Sequence, residues 1–382
     1  MTGILTIATL NTWGVFYARD RVRRLQAVAV AAAGGAFDII GLQEVWQDAD
    51  RRRIETAVQA AGYYTHYYAS GMIGSGLMTL SRYPILTVDF MRFRPSGSPE
   101  TMYHGDYIAS KGIGLARIGT PGGIVDFYNT HLVAQYVDDA TDHYPAHRAA
   151  QMVEAARFIR AYSQATPAVL AGDLNTRPYQ IGYNVAHLLG ELRDVYALLH
   201  PNSDGWTIDP ANIYTHDGEP QRIDYIMVSD SDSHRLEAQR IRVDFQQVPG
   251  AQIPYSDHYG LVAELTLVPA EAPRKQPGRE ARLAVLNAVL DVLDGGITRI
   301  EQRRQSHAHR SRFGGWLALA SLMLHKGLRR LTLPLLLGWT GITGLLAHFL
   351  IRAELRDLRA IRAEVQAERD AVARQDTPTH MR

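Results

Sequence analysis

The chain has 382 residues, of which 46% are hydrophobic, and no cysteine, so it can bury a large core but has no disulfide, thiolate metal site or cysteine nucleophile. Its net charge of +1 conceals an asymmetry: residues 1–270 contain 21 Lys and Arg against 28 Asp and Glu, and residues 271–382 contain 19 against 11. The acidic first part argues against a nucleic-acid substrate, and the basic second part favours anionic surfaces such as lipid headgroups.

Short apolar segments dominate the first two thirds of the chain. Residues 4–10 alternate apolar residues with threonine, which predicts a strand, and no signal peptide is expected because a basic n-region is missing. Further strands are predicted at 37–42, 76–81, 112–118, 123–129, 167–172, 222–228 and 259–267. Helices are predicted over 19–33, 48–61 and 147–162. The excess of strands favours two packed sheets with helices outside over a parallel doubly wound sheet.

Polar residues stand at the ends of six predicted strands, and they share one kind of chemistry. They are Asn11, Glu44, His131, Asp173 with Asn175, Asp224, and Asp257 with His258. Asp173 and Asn175 lie two residues apart, so on an extended chain their side chains point to the same side. Acids, amides and imidazoles together can bind a hard divalent cation and hydrolyse a phosphate ester. Each residue alone is a common turn or cap residue, so the prediction rests on their repetition.

The segments around these residues resemble the ordered motifs of the endonuclease/exonuclease/phosphatase (DNase I-like) superfamily. The motif segments are Leu10–Gly14, Gly41–Trp46, Asn129–Leu132, Ala171–Asn175, Arg222–Ile226 and Ser256–Tyr259. The resemblance covers about residues 4–267. It implies an α/β fold, a four-layered α-β-β-α sandwich, in which two mixed sheets pack face to face and the site lies at the edge where strand ends converge.

The resemblance also implies a magnesium site. Glu44 and Asn11 are expected to supply oxygen ligands to Mg²⁺, a hard cation that keeps several of its waters, and the ion is expected to neutralise phosphate charge. Asp257 is expected to bind the ion directly or to hydrogen-bond to one of its ligands. Asp173 is expected to position the attacking water or a second cation.

The remaining polar residues are expected to move protons and stabilise charge. His258 is the expected general base, and Asp224 is expected to accept a hydrogen bond from its other ring nitrogen, which fixes the tautomer and raises basicity. Asn175 and His131 are expected to donate hydrogen bonds to phosphoryl oxygens as negative charge builds on them.

The segment His104–Leu115 resembles a loop and strand of neutral sphingomyelinases, in which an acid and a lysine five residues apart precede a Gly-x-Gly-Leu strand. Asp106 and Lys111 match this spacing, and Lys111 is the only lysine in residues 1–270. In that family, engaging the lysine removes a block and completes the site, so the pair is expected to act as a switch. The alternative is a chance pair on an exposed loop. The segment Gly76–Ile85 is similar to the same family.

The rest of the chain changes character after residue 268. We expect a catalytic domain at 1–268, a linker at 269–280, a juxtamembrane helix at 281–312, hydrophobic membrane segments within 313–351, and a charged helix and tail at 352–382. Residues 331–351 contain no Asp, Glu, Lys or Arg and would span about 31 Å as a helix, which matches a bilayer. Residues 313–325 would span the bilayer or lie in its interface. The heptad spacing of Leu358, Val365 and Val372 is compatible with a dimer contact or a solvated or lipid-surface helix.

The sequence therefore predicts an integral membrane, Mg²⁺-dependent phosphodiesterase that resembles neutral sphingomyelinases. Its expected substrate is sphingomyelin or a related sphingophospholipid, cleaved to ceramide and a phospho-headgroup, and its expected partners are the bilayer, anionic lipids and a second copy through the C-terminal helices. No nucleic-acid partner is expected. A nuclease would need basic residues around the site, a phosphoinositide phosphatase would need a Lys and Arg cluster, and a non-enzymatic scaffold would not need to keep every site residue.

Overall fold

Twelve strands in two sheets form the centre of the fold. The structure is a computed structural model that describes residues 3–71, 73–137, 141–215, 218–272, 274 and 276–374, without side chains at 102 and 103. The strands are β1 (Ile4–Asn11), β2 (Ile39–Gln43), β3 (Tyr64–Tyr67), β4 (Met78–Ser81), β5 (Ile85–Arg92), β6 (Gly112–Thr120), β7 (Gly123–His131), β8 (Ala168–Asp173), β9 (Arg193–Asp194), β10 (Asp224–Ser229), β11 (His234–Asp244) and β12 (Gly260–Pro269). One sheet has the order β11-β12-β1-β2-β4-β3, and the other has β5-β6-β7-β8-β10-β9.

Helices cover the outer faces of both sheets. The helices of this part of the chain are α1 (Arg21–Ala33), α2 (Asp48–Ala60), α3 (Pro145–Tyr162), α4 (Ile181–Leu188) and α5 (Val195–Leu199). Apolar side chains of α1 and α2 pack on the first sheet, and those of α3 and α4 pack on the second. Between the sheets, a third core contains Ile7 and Ile39 of one sheet and Phe127 and Val169 of the other. The predicted four-layered sandwich of two mixed sheets is confirmed.

Sequence patterns missed the four strands at the sheet edges, which are β3, β5, β9 and β11. An edge strand has one free side, so its sequence carries a weaker apolar pattern than a central strand. In β11, for example, the segment His234–Asp244 contains three arginines and has only two buried residues. The central strands, which carry the predicted site residues, were the ones that the apolar pattern predicted.

Three long helical segments follow the sandwich. They are α6 (Arg279–Ser321), α7 (Lys326–Leu345) and α8 (Ile351–Arg374), with a π-helical turn at Leu346–Leu350 between the last two. The helix α6 runs without interruption through the expected boundary at residues 312 and 313. Among the described residues, one helical stretch, Lys326–Arg374, is long and apolar enough to cross a membrane by length and composition, and only 17% of its apolar window is buried in the chain.

The helices α6 and α8 form a fifth layer outside α3 and α4. Val285, Leu286, Val289 and Leu293 of α6 are buried in the same core as α3. The heptad residues of α8, which are Leu358, Val365 and Val372, are buried there as well. The expectation that these three residues form a dimer contact, or lie on a solvated or lipid-surface helix, is therefore wrong, because their own chain already covers them.

Charged side chains also fasten α8 to α3. Arg160 of α3 donates to Glu368 at 2.9 Å, and Arg157 donates to Glu364 at 2.7 Å. At the other end of α3, His147 lies 3.0 Å from Glu354, and both side chains are buried. Surface ion pairs contribute little individually, so the apolar contacts dominate, and the ion pairs fix the register of the two helices.

A chain that ends at Val268 is expected to be less stable than the full chain, because it would uncover the apolar side of α3 and α4. Each kcal/mol lost lowers the unfolding temperature of a domain of this size by about 2–4 °C, and several buried side chains are at stake, so we expect a decrease of roughly 10 °C. Calorimetry and binding of an apolar dye would measure it. The matched control joins Arg304 to Arg352 through a short Gly/Ser linker, which keeps α6 on α8. Equal stability of the two shortened chains would contradict the docking.

Candidate active site

Two strand ends of the first sheet deliver Asn11 and Glu44. Asn11 pairs in register with Gln43 on the parallel strand β2, so Glu44 lies one residue beyond. Glu44 has a φ of 58°, and this left-handed turn is crowded, since a Cβ at Gly14 would lie 2.2 Å from the Glu44 carbonyl oxygen. The Asn11 amide Nδ2 donates to Glu44 Oε1 at 3.1 Å and to Asp173 Oδ2 at 2.9 Å, which joins the two sheets at one edge.

The second sheet contributes three residues in one row. His131 pairs with Asp173 on parallel strands, and Asp224 pairs with Asp173 on the other side. His131 Nε2 lies 3.4 Å from Asp173 Oδ2 and 3.9 Å from Glu44 Oε1. Asn175 donates its backbone N–H to Asp173 Oδ1 at 2.8 Å, and its Nδ2 donates to the Leu132 carbonyl oxygen at 3.1 Å. One N–H of the Asn175 carboxamide is therefore already used.

His258 and Asp224 form a buried hydrogen-bonded pair. His258 Nδ1 lies 2.9 Å from Asp224 Oδ2, and His258 Nε2 lies 4.0 Å from Asp173 Oδ2. Burial lowers the pKa of His258, but the charge of Asp224, the hydrogen bond to it, and the charges of Asp173 and Asp257 outweigh burial and raise that pKa well above its ordinary value. Asp224 thus fixes the tautomer of His258 and stabilises its protonated form.

Two further carboxyl groups share this small volume. Burial, followed by the charge of Asp224, raises the pKa of Asp173 to about 7. Burial also raises the pKa of Asp257 to about 6, against the charge of His258, and the charge of Glu44 adds to the increase. Asp257 Oδ1 accepts a hydrogen bond from Ser256 Oγ at 3.0 Å. Buried acids with raised pKa values near a histidine are typical of functional sites.

Lys111 has an acceptor for each of its three N–H bonds. Its Nζ lies 2.5 Å from Asp106 Oδ1, 2.8 Å from the Leu132 carbonyl oxygen and 2.9 Å from His131 Nε2. The side chains of Lys111 and Asp106 are 6% and 4% exposed, so the alternative of a chance pair on an exposed loop is wrong. Asp106 Oδ2 also accepts from the hydroxyl of Tyr136 at 2.8 Å. The pair therefore lies directly against the row of His131 and Asp173.

The contact with Lys111 changes what His131 can do. Its Nε2 accepts from Lys111, so the ring proton belongs on Nδ1, which is buried and has no hydrogen-bond partner among the described residues. Burial, followed by the positive charges of Lys111 and His258, holds the pKa of His131 well below its ordinary value. In this arrangement His131 is neutral, and donation from Nε2 to a phosphoryl oxygen requires Lys111 to release that nitrogen.

Residues 8–258 match the Endonuclease/Exonuclease/phosphatase family. The chain belongs to this family. The match starts within β1 and ends at His258, so it includes every predicted site residue. Solved structures with the same fold include SmcL, with a TM-score of 0.52 and 20% identity, covering 69% of this chain and 99% of that one. Another is D. rerio TDP2 in complex with a single-strand DNA product, with a TM-score of 0.56 and 16% identity, covering 69% and 99%.

The curated relatives of this family member carry more specific names. A relative from Drosophila melanogaster, whose name places it among neutral sphingomyelinases, is 35% identical over 72% of this chain and 63% of its own length, so the match spans less than two thirds of that protein. Sphingomyelin phosphodiesterase 2 from Homo sapiens is 30% identical over 72% and 67%, and its counterpart from Rattus norvegicus is 28% identical over 99% and 96%. The expected resemblance to neutral sphingomyelinases and the classification as a hydrolase of the family are confirmed.

The donor set of the site suits a hard divalent cation. Glu44, Asp173, Asp224 and Asp257 offer carboxylate oxygens, which such cations prefer, and the raised pKa values of Asp173 and Asp257 would fall beside a positive charge. Ligand atoms of Asp173, Asp224 and His258 lie within 4.8 Å of one another and could hold a metal ion. An ion between Asp224 and His258 Nδ1 would break their 2.9 Å contact. An ion held by oxygen donors near Glu44 would leave this hydrogen bond intact.

Asn11 does not present an oxygen ligand in this arrangement. Its Nδ2 faces Glu44 and Asp173, whereas its Oδ1 accepts the backbone N–H of Trp13 at 3.0 Å. The expectation that Asn11 supplies an oxygen ligand stays a prediction, and the amide would have to rotate to fulfil it. As it stands, Asn11 positions the two carboxylates by donating to both.

Sequence patterns missed a buried residue that holds two loops of the site in place. Arg24 of α1 has 0% exposure and donates to the carbonyl oxygens of Thr12, Trp13 and Tyr255 at 2.8, 3.0 and 3.0 Å. These carbonyls belong to the loops that follow Asn11 and precede Asp257. Arg24 therefore holds two site loops together. Its only signal in the sequence is an arginine on the apolar side of a helix, four residues before Val28.

Proposed function

We propose that this family member is a membrane-anchored, Mg²⁺-dependent phosphodiesterase that hydrolyses sphingomyelin or a related sphingophospholipid to ceramide and a phospho-headgroup. The observation that supports it best is the meeting of the His258–Asp224 pair with Glu44, Asp173 and Lys111 at one edge of the sandwich. The relatives named sphingomyelin phosphodiesterase 2 give the substrate class. The excess of acidic residues in 1–270 disfavours a nucleic acid.

In the proposed reaction, water attacks phosphorus in line and the ceramide hydroxyl leaves. In its neutral form, which a cation bound beside Asp173 and Asp257 would favour, His258 accepts the proton of the water at Nε2, and Asp224 stabilises the resulting imidazolium through Nδ1. Asp173 lies 4.0 Å from that Nε2, which suits it to orient the water. The proton then passes to the ceramide oxygen, so water is consumed and an alcohol and a phosphomonoester are formed. Once Lys111 releases Nε2 and the ring proton moves there from Nδ1, the His131 imidazole can donate to a phosphoryl oxygen.

Mg²⁺ would be held by Glu44, with Asp173 or Asp257 as further oxygen donors, and when bound it would neutralise phosphate charge and polarise the phosphorus. Glu44 is suited to this role because its side chain is 17% exposed, more than the buried Asp173 and Asp224. The fold keeps the carboxylate oxygens that would hold the ion separate from His258 Nε2, which accepts the proton.

A related headgroup is a second candidate within the same reaction. Inositol phosphosphingolipids phospholipase C from Schizosaccharomyces pombe is 29% identical over 69% of this chain and 68% of its own length. Such substrates share the ceramide phosphodiester with sphingomyelin and differ only beyond the phosphate. The residues that act on phosphorus would therefore serve both, and the headgroup must be assigned by assay.

For the membrane anchor, we propose a hairpin of residues 305–351, formed by the end of α6, by α7 and by the π-helical turn. Large apolar side chains are exposed along it, including Trp316, Met323, Leu335 and Phe349, and such a surface is typical of a segment that lipid covers. The parts of α6 and α8 on either side of this hairpin, 281–304 and 352–374, then belong with the catalytic sandwich rather than with the membrane. Anionic headgroups would suit the basic residues beside the hairpin, such as Arg304 and Arg352.

A lipid-panel assay tests this proposal. Full-length protein in detergent is incubated with sphingomyelin, an inositol phosphosphingolipid, phosphatidylcholine or duplex DNA, each with Mg²⁺ or with a chelator. Release of phosphocholine or phosphoinositol from a sphingolipid, dependent on Mg²⁺, is the expected result. Cleavage of DNA without any sphingolipid hydrolysis would overturn the proposal, and so would sphingolipid hydrolysis that the chelator leaves unchanged.

Lys111→Met is expected to lower turnover at least about tenfold, because the expected switch needs the lysine ammonium group to complete the site, while Mg²⁺ affinity stays intact. The variant also leaves Asp106 buried and unpaired, which costs about 3–5 kcal/mol of stability. The double variant Asp106→Asn/Lys111→Met removes that cost and is the matched control. Turnover and Mg²⁺ titrations on both variants measure the effect. Wild-type kinetics in the double variant would remove the idea of a switch.

A further inference from the structure

The hairpin of residues 305–351 leaves the molecule on the side of the active site. The helix α3 begins at Pro145, just after the loop that follows His131, so its N-terminus lies at the catalytic edge of the sheet. The helix α6 runs antiparallel to α3: its first turns lie near the end of α3, where Arg282 and Arg160 share Glu368. Gly296 then contacts Ala146, and Arg303 reaches Ser98. From Arg303 to Ser321, α6 continues about 27 Å beyond this edge.

Exposed apolar side chains surround the active site on the same edge. They lie on the loops that follow β1, β7 and β8 and on the loop before β10. We call them the apolar rim: Phe16, Tyr17, Val137, Tyr179, Trp206 and Ile213. Phe16, Tyr17 and Tyr179 are 75%, 70% and 67% exposed. Phe16 and Tyr17 pack edge to face on each other, and the Tyr179 hydroxyl accepts a hydrogen bond from Arg177, yet most of each ring still faces solvent. Exposed apolar surface at the entrance of a site is typical of an interaction surface.

Contacts within the chain tie these loops to the site. Tyr179 lies four residues after Asn175, and Phe16 and Tyr17 follow the Trp13 turn that Arg24 holds. The loop of Ile213 is held to the Asp257 backbone, because Asn212 Nδ2 and Thr215 Oγ1 donate to the Asp257 carbonyl oxygen at 3.2 and 2.9 Å. A surface that the rim contacts is therefore also in front of Glu44 and His258.

We propose that the apolar rim is a second membrane-contact surface, which docks the catalytic edge onto the bilayer that the hairpin enters. This inference rests on the proposed function for its substrate, but its geometry does not depend on the reaction. The hairpin and the rim face the same direction, so a bilayer that holds one meets the other. Amphipathic aromatic rings are the side chains that favour the headgroup level of a bilayer, and they would lie where a lipid has to rise toward the site.

The chain has no cysteine, so one introduced cysteine gives a single site for an environment-sensitive fluorophore. Full-length Tyr17→Cys and Tyr179→Cys are labelled and reconstituted into vesicles of phosphatidylcholine and sphingomyelin with brominated acyl chains. The matched control is Tyr64→Cys, which is 49% exposed and lies at the opposite end of its sheet, beside Ser81. We expect a blue shift and bromine quenching at positions 17 and 179 but not at 64. Equal signals at all three positions would overturn the proposal.

An activity measurement gives an independent test. The full-length variant Phe16→Ser/Tyr17→Ser/Tyr179→Ser is compared with Tyr64→Ser/Ile124→Ser, whose two residues lie at the far edge. On vesicles, the rim variant is expected to be about tenfold or more slower than the control, with equal rates on a short-chain, monomeric sphingophospholipid. Equal loss on the monomeric substrate would overturn the rim as a membrane contact, and so would a changed oligomeric state in the rim variant. If the wild type hydrolysed no sphingophospholipid, the proposed function would be wrong. The fluorescence result would still show whether the apolar rim contacts the bilayer.

Discussion

His258→Ala is expected to lower the turnover of a sphingophospholipid by about a thousandfold or more, without a change in fold. General-base catalysis contributes about 10²–10⁴ in rate. His131 does not replace His258, because its Nε2 is held by Lys111. Asp173, whose pKa is raised to about 7 by burial and the charge of Asp224, is expected to set the residual rate. Steady-state kinetics with saturating Mg²⁺ would measure the loss.

Asp224→Asn tests what the carboxylate adds to catalysis, because it keeps the His258 imidazole and removes the negative charge beside it. An amide in place of the carboxylate keeps the shape but no longer stabilises the protonated ring, so turnover is expected to fall as well, with the thermal unfolding temperature close to that of the wild type. The matched control is His234→Ala at the start of β11, where the ring Nδ1 lies 3.0 Å from Ser233 Oγ. Near-full activity in His258→Ala would overturn the assigned base.

Glu44→Ala is expected to reduce activity by at least a hundredfold and to weaken Mg²⁺ binding, because it removes the carboxylate that faces both sheets at the site. Glu44 touches Asn11 Nδ2 at 3.1 Å and is partly exposed, so its loss should cost little stability. Titration calorimetry with Mg²⁺ would measure the affinity, and turnover across a Mg²⁺ series would measure the kinetic effect.

Glu237→Ala is the matched control for Glu44→Ala, since Glu237 is exposed on the edge strand β11. It should leave both Mg²⁺ affinity and turnover unchanged. A Glu44→Ala variant that keeps wild-type Mg²⁺ affinity would place the ion elsewhere, with the group of Asp173, Asp224 and His258 as the next candidate.

The strand ends of the site could be predicted because central strands carry continuous apolar segments, and each of these ends abruptly in a polar residue. The partnership between Asn11, Glu44 and Asp173 followed from the order of the motifs. The orientation of the Asn11 amide and the tautomer of His131 did not, because they depend on neighbours from distant parts of the chain. Lys111 reaches His131 across 20 residues, and Arg24 reaches Tyr255 across 231.

The packing of α8 shows why the C-terminal part was harder to predict. Its heptad pattern indicates that Leu358, Val365 and Val372 pack against an apolar surface. The pattern would be the same if that surface belonged to a second copy, to lipid or to other helices of the same chain. Only the position of α3 decides among them. The segment 331–351 was easier to single out, since its length and composition match those of a membrane span, and its insertion into a bilayer stays a prediction.

Because α6 and α8 pack along α3, the proposed hairpin would be connected to the catalytic sandwich rigidly rather than through a flexible linker. A catalytic unit on a flexible linker would sample any surface within reach, at an effective concentration that falls with linker length. A unit fixed by two packed helices would instead work at one height and one tilt above the membrane that the proposed hairpin enters. The number of helical turns between Arg303 and the apolar segment then acts as a ruler, and one added turn in each helix would lift the site about 5.4 Å from the lipid.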